Sequence, residues 1–390
     1  MLNSVTVYGQ GVKAVKEGAA LIYRKWIEAP PYLKPGELVV VESSRGELLG
    51  CALYDDVGPV ALRMVWFWAC PFRSAEEAIS SLLEKAFRLR ERVGYVGERR
   101  AYRLVHSDGD LLPGLIIDVY DDIAVIQSSS VVWDVHMDEI VKVLVKQLGY
   151  RHVYEKSTQR TRRDIGLKPR ERILYGSRTR TIIEEEGVRF IVDVRVGQKT
   201  GFFLDQRLNR IEVERYAAGE TILDLFSYTG GFGIHALVAG ARRAVFVDVD
   251  GKALSILREN LKLNNISEDL VEIVESNVWD FLRRDKRRYG IVIADPPAFI
   301  QDKSHYDRGV RAYTRLFSSV IDKAEDIAFM SSCSAFLTVD EFQRIVSEAA
   351  AIVEKVIRPI GTVRAMPPDH PVRFGANYLA YLKALYVEVM

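Results

Sequence analysis

Apolar and polar positions alternate with different periods along the 390-residue chain, and each change of period marks a different kind of element. In residues 1–72 short apolar runs dominate. Glu37-Leu-Val-Val-Val-Glu42 and Leu48-Leu-Gly-Cys-Ala-Leu-Tyr54 are bounded by the turn signals Pro35-Gly36 and Arg45-Gly46, which predicts strands. Pro30-Pro31 excludes a helix there. Over 74–93 the period becomes helical, with Ala78, Leu82, Leu83, Ala86, Phe87 and Leu89 on one stripe. Ser74 followed by Glu77 predicts a capping box at its start. Within 73–186, Leu115-Ile-Ile-Asp-Val-Tyr120 and Ile123-Ala-Val-Ile-Gln127 flank Asp121-Asp122 as a hairpin would. A helix over 135–148 and a strand near Val153 complete an α+β layout.

From 187 to 390 short apolar runs alternate with helical stretches. Thr221-Ile-Leu-Asp-Leu-Phe226, Ala244-Val-Phe-Val-Asp248, Val271-Glu-Ile-Val274 and Ile291-Val-Ile-Ala294 predict strands, with helices over 253–263 and 313–327. Such alternation predicts a mostly parallel sheet with helices on both faces. The expected fold is therefore α/β, a Rossmann-like sheet at 187–390 preceded by a small β-rich domain and an α+β middle domain.

Composition excludes several classes. Hydrophobic residues make up 48% and charged residues 27%, ordinary globular values that argue against disorder. Lys plus Arg is 54 against 53 acids, so no overall basic coat is present, although a local basic surface remains compatible. Cys51, Cys70 and Cys333 are far apart and form no CxxC pair, which speaks for a reducing cytoplasm and against a zinc ribbon. The longest apolar stretch, 60–70, is interrupted by Arg63 and too short to span a bilayer. A soluble, cytoplasmic protein is expected. His235 and His370 lack partners at ligand spacing, so no metal is expected.

In a doubly wound sheet, ligands sit at the carboxyl ends of the strands. Those ends here read Asp224-Leu-Phe-Ser-Tyr-Thr-Gly-Gly-Phe-Gly233, then Asp248 with Asp250, then Asp295-Pro-Pro-Ala-Phe299. Glycines at 230, 231 and 233 permit close approach of a cofactor, and Asp248 offers an acceptor to both ribose hydroxyls. NAD and S-adenosylmethionine both satisfy that much. The GxGxxG spacing is absent, and Asp-Pro-Pro-Phe-type loops suit a flipped planar base: prolines fix the loop, the ring of Phe299 stacks, and Asp295 bonds the base edge.

The region from 187 resembles a class I S-adenosylmethionine-dependent methyltransferase. The whole chain resembles the 23S rRNA cytosine-5 methyltransferases that carry an N-terminal PUA domain. The resemblance rests on Arg103-Leu-Val-His-Ser-Asp-Gly-Asp-Leu-Leu-Pro-Gly-Leu115, Gly197-Gln-Lys-Thr-Gly-Phe-Phe-Leu-Asp-Gln-Arg207, the segments 224–233 and 295–299, Ser332-Cys-Ser334 and Asp369-His-Pro371. It implies S-adenosylmethionine as cofactor and 23S-type ribosomal RNA as partner. By the same resemblance, Asp224 and the backbone near Gly230 hold the methionine part and Asp248 the ribose, and Tyr228 and Asp295 also belong to the cofactor site. Asn277 stands where an acidic residue usually meets adenine, and Gln198, Lys199, Phe203 and Asp205 close over the cofactor. The usual Glu before Tyr-Leu-Lys is replaced, leaving Tyr378 before Tyr381-Leu-Lys383.

Cytosine C5 reacts poorly with a methyl sulfonium until a thiolate adds at C6, and Cys333 matches the position of the family's nucleophile. Asp295 would stabilise charge developing on the ring, with Pro296, Pro297 and Phe299 holding the base. Without that cysteine chemistry the same loop fits a guanine-N7 or adenine-N6 methyltransferase. A catalytically silent RNA-binding protein is the alternative from another class. Residues 151–180 carry ten Lys or Arg against three acids, and Arg283-Arg-Asp-Lys-Arg-Arg288 adds a second cluster. Arg160, Arg162 and Arg163 are the expected phosphate contacts. A homodimer is compatible with the sequence.

Overall fold

The computed structural model describes residues 2–390, and the chain forms two compact units. The first comprises the chain up to Ile183 with Val192–Leu204 and Pro368–Leu379. The second comprises Glu184–Ile191, Asp205–Pro367 and Ala380–Met390.

In the first unit a six-stranded sheet runs in the order Leu21–Tyr23, Val60–Phe67, Leu48–Tyr54, Leu38–Ser43, Asn3–Val7, Ile27–Glu28. The two anticipated strands pair antiparallel across the Arg45-Gly46 turn, where Gly46 takes φ 74°. A helix that the pattern does not signal, Gly9–Lys16, buries Val15 against Val5, Val7 and Ile22. Arg63 breaks the apolar run because its guanidinium is buried against Asp55 at 2.8 Å.

The first unit also holds a five-stranded sheet, ordered Arg170–Tyr175, His152–Ser157, Ile123–Ser128, Leu115–Tyr120, Ala101–His106. The hairpin closes with Tyr120 opposite Ile123 and Asp121 in the left-handed region. Charged residues mask its outer strands in the sequence. Arg103 in Ala101–His106 is buried, and Asp118 on the neighbouring strand receives its guanidinium at 2.8 and 2.9 Å. The helix Ala75–Arg92 starts as expected, with the Ser74 hydroxyl accepting Glu77 N–H. Glu77 returns its carboxylate to Arg73 N–H at 2.8 Å, so only half of the anticipated box forms at Ser74.

The second unit is a seven-stranded sheet in the order Val271–Glu275, Arg243–Asp248, Thr221–Leu225, Tyr289–Ala294, Ala324–Ser332, Lys383–Val389, Ile357–Pro359. The first five run parallel, and Lys383–Val389 is antiparallel to both its neighbours. The helix expected over 313–327 spans Tyr306–Lys323, and residues 324–327 belong to the next strand. It stops where Ala324 turns extended (φ −78°, ψ 133°) and the Lys323 ammonium bonds Asp285 O at 2.6 Å. No helix among the described residues is long and apolar enough to cross a membrane.

Candidate active site

The central strand Thr221–Leu225 delivers the first functional carboxylate. Beyond it the chain turns through three left-handed residues, Phe226 (φ 59°), Tyr228 (φ 51°) and Gly230 (φ 86°), before the helix Gly231–Val238. Left-handed non-glycine residues are costly and cluster where a fold holds a ligand. Gly233 is required by space: a Cβ there would lie 2.2 Å from the Phe246 ring. Its N–H donates to Asp224 Oδ2 at 2.9 Å. Burial pushes the Asp224 carboxyl up to about 7, the Gly233 bond pulling down and the charges of Asp295 and Asp248 adding to the rise.

The neighbouring strand Arg243–Asp248 ends in the second carboxylate. Asp248 accepts Tyr228 N–H on Oδ2 at 2.8 Å and Asp250 N–H on Oδ1 at 2.9 Å. The carboxylate is thereby fixed in direction, and each oxygen retains acceptor capacity. Beyond Val271–Glu275, Asn277 caps the helix Val278–Arg284, its side-chain oxygen accepting Trp279 N–H at 2.9 Å. The residue expected beside adenine thus has a structural task as well.

On the other side of the central strand, Tyr289–Ala294 leads into Asp295-Pro-Pro. Asp295 Oδ1 accepts Gln206 Nε2–H at 2.7 Å and the Ser331 hydroxyl. Pro296 is buried and Pro297 exposed. The Phe299 ring packs 4.7 Å from that of Tyr313, and its N–H donates to the Tyr313 hydroxyl at 3.2 Å. Cys333, half-buried, follows the strand Ala324–Ser332, two residues beyond the serine that bonds Asp295. The Ser334 hydroxyl donates to Ile300 O at 2.7 Å, tying the Cys333 segment to the end of the Asp-Pro-Pro loop.

Asp224, Tyr228, Gly230, Asp248, Asn277, Asp295 and Cys333 therefore all stand at strand ends of the second unit, with Asp205 in the same unit accepting the Tyr381 hydroxyl at 2.8 Å. Gln198, Lys199 and Phe203 belong to the first unit, where the Lys199 ammonium lies 4.5 Å from the Phe203 ring centre. Sequence reasoning alone misses Gln206, Ser331, Tyr313 and Lys383. Gln206 sits inside the Gly197–Arg207 string, and Lys383 ends Tyr381-Leu-Lys; those strings are the available signal.

The expected phosphate contacts need one correction. Arg160 and Arg163 are exposed on the short helix Arg160–Asp164, but Arg162 is buried. Its guanidinium pairs with Asp134 at 2.6 Å and donates to Lys168 O at 2.7 Å, so it holds the segment in place and does not face RNA. The cluster at 283–288 is also largely spent: Arg287 pairs with Glu272 and Asp285, and Arg288 bonds Ala324 O. His235 lies between Glu185 and Glu214, and His370 bonds Asp369 at 2.9 Å.

The donor set fits S-adenosylmethionine. A turn through three left-handed residues, a buried carboxylate beside it and a second carboxylate oriented by two N–H groups match a cationic amino-acid part and a ribose diol. Known proteins agree with this reading. Residues 171–328 match the family described as S-adenosylmethionine-dependent methyltransferase, and residues 5–67 match a PUA-like domain. A Methanocaldococcus jannaschii protein assigned as a ribosomal RNA large subunit methyltransferase is 35% identical over 386 residues, covering 97% of each chain. Ribosomal RNA large subunit methyltransferase I of Alteromonas mediterranea is 32% identical over 365 residues, covering 91% of this chain and 90% of that one. A solved Streptococcus mutans structure, assigned as a SAM-dependent methyltransferase, shares the fold with a TM-score of 0.81 at 23% identity, over 99% of this chain and 100% of that one.

Proposed function

From the premise that the chain belongs to the S-adenosylmethionine-dependent methyltransferase family, we propose that it methylates C5 of a cytosine in large-subunit ribosomal RNA, with Cys333 as nucleophile. The names of the full-length relatives support the RNA, and the PUA-like domain supports an RNA-binding surface. The observation that carries the reading is the joining of two neighbouring strand ends. Ser331 bonds Asp295, and Cys333 follows two residues later, so a thiol and a base-binding carboxylate share one loop cluster. Cys51, Cys70 and Cys333 form no disulfide, which fits work in a reducing cytoplasm.

When bound, S-adenosylmethionine supplies an electrophilic methyl group on a sulfonium. Asp224, Tyr228 and the Gly230 turn would hold its amino-acid part, Asp248 its ribose, and Asn277 would stand by the adenine. Asp295, fixed by Gln206 and Ser331, accepts the cytosine amino N–H on one oxygen and, when protonated on the other, donates to N3. Pro296, Pro297 and Phe299 shape the pocket for the flipped base. Cys333 Sγ, as thiolate, adds to C6 and makes C5 an enamine carbon able to take the methyl group. Loss of the C5 proton to a base and cleavage of the Cys333–C6 bond restore the ring.

The test is RNA carrying 5-fluorocytidine. Fluorine cannot leave as a proton does, so the adduct should survive denaturing electrophoresis and require the cofactor. Cys333→Ala should abolish both adduct and turnover, with cofactor binding retained. Methylation that persists in Cys333→Ala would overturn the covalent reading and move the reaction to guanine-N7 or adenine-N6.

A further inference from the structure

The strand Lys383–Val389 brings a lysine into the Cys333 cluster, with Lys383 in register opposite Ser332. The side chain is only 3% exposed. Its ammonium donates to Ser334 O and, at 2.8 Å, to Tyr381 O. Both partners are neutral carbonyls, and one belongs to the residue directly after Cys333. A buried ammonium solvated only by carbonyls retains its whole charge and is costly unless an anion is near.

The candidates for that anion are few. Cys333 and Glu341 are the groups whose charge acts on Lys383. Glu341, on the helix Val339–Ile352, keeps its charge at a partly exposed position, where it accepts Thr338 N–H at 2.8 Å and the Tyr306 hydroxyl and water screens its pull on the lysine. Tyr313 faces Cys333 from the helix Tyr306–Lys323, and burial holds its phenol at about 12, neutral at working pH.

We infer that Lys383 is a positioning residue whose ammonium is the counter-ion of the Cys333 thiolate, readying the sulfur for attack before RNA arrives. The inference rests on the reading of Cys333 as nucleophile. The proton balance is internal: a Cys333 thiol and a Lys383 amine become thiolate and ammonium by transfer of one proton. Burial lowers the lysine to about 8, which brings its amine within reach of a thiol proton. Lys383 thus supplies the local positive charge that a nucleophilic cysteine requires.

The experiment is alkylation of Cys333 by iodoacetamide in the full-length, RNA-free protein from about pH 6 to pH 10, read by peptide mass spectrometry. The wild type should show an inflection below the ~8.5 of an ordinary thiol. Lys383→Met should raise it by about one unit and slow alkylation roughly tenfold at pH 7, whereas Lys383→Arg should keep it low. Calorimetric cofactor affinity, unchanged in both variants, checks folding. An ordinary inflection in the wild type, or the same inflection in Lys383→Met, would overturn the inference, and the first readout needs no variant to fold. A low, lysine-dependent inflection together with no trapped 5-fluorocytidine RNA would support the ion pair and count against the cytosine reading alone.

Discussion

The Gln206 side chain donates to Asp295 Oδ1 at 2.7 Å and in turn accepts Asn209 Nδ2–H at 2.6 Å, so Asn209, a helix residue, fixes the direction of the carboxylate through Gln206. A hydrogen bond to a charged group contributes about 1.5–3 kcal/mol. Gln206→Leu should therefore lower single-turnover methylation roughly ten- to hundredfold and leave cofactor affinity within about threefold. Unchanged turnover would remove Gln206 from the positioning of Asp295.

Asp248 gives a direct test of cofactor choice. Its two oxygens are oriented by the N–H groups of Tyr228 and Asp250. Asp248→Ala removes a charged acceptor from the ribose and should weaken S-adenosylmethionine binding about tenfold to a hundredfold by calorimetry. NAD should give no heat of binding in either protein. Tight NAD binding would refute the assignment.

Asp224 predicts a pH dependence. Burial raises its carboxyl from 3.8 to about 7, so the folded protein holds this proton more tightly than the unfolded chain does. The stability it contributes is complete below the unfolded value and is lost as pH rises through about 7. The ligand-free melting temperature should fall between about pH 4 and pH 7, and Asp224→Asn should flatten that fall. Cationic cofactor favours the ionised carboxylate, so its affinity should increase over the same interval in the wild type only. Parallel melting profiles in the two proteins would count against this assignment of the group.

The correction at Arg162 separates two classes of arginine in one short helix. Arg160→Ala with Arg163→Ala should weaken RNA binding and reduce the salt slope by about 0.7 for each phosphate left without its cation. Arg162→Ala should instead lower the melting temperature, because breaking a buried pair costs about 3–5 kcal/mol. If RNA affinity and salt slope stay the same in the double variant, Arg160 and Arg163 are only solvated.

The legible part of the molecule is the part governed by local pattern. The inner parallel strands carry short buried apolar runs, as at Ile291, Val292 and Ile293, and their carboxyl ends follow directly from the chain. Buried polar partners are not legible, because pairing is a property of three dimensions. The strand Ala101–His106 hides behind Arg103, whose neutralising Asp118 lies on another strand. Charge counting fails at Arg162 for the same reason, since Asp134 cancels it from a different element. Lys383 is visible as a letter, but its nearness to Cys333 depends on the pairing of Ala324–Ser332 with Lys383–Val389.

That pairing also orders events during synthesis. Lys383–Val389 lies inside the seven-stranded sheet, between Ala324–Ser332 and Ile357–Pro359, and it is antiparallel to both. A nascent chain that has reached residue 367 still lacks the element that bridges those two strands. The edge of Ala324–Ser332 is then unpaired next to Cys333, an aggregation-prone species until the missing partner emerges. The second unit should consequently reach its native form late, after residue 389 has cleared the ribosome tunnel. Limited proteolysis of stalled chains would detect this as protection that appears in one step.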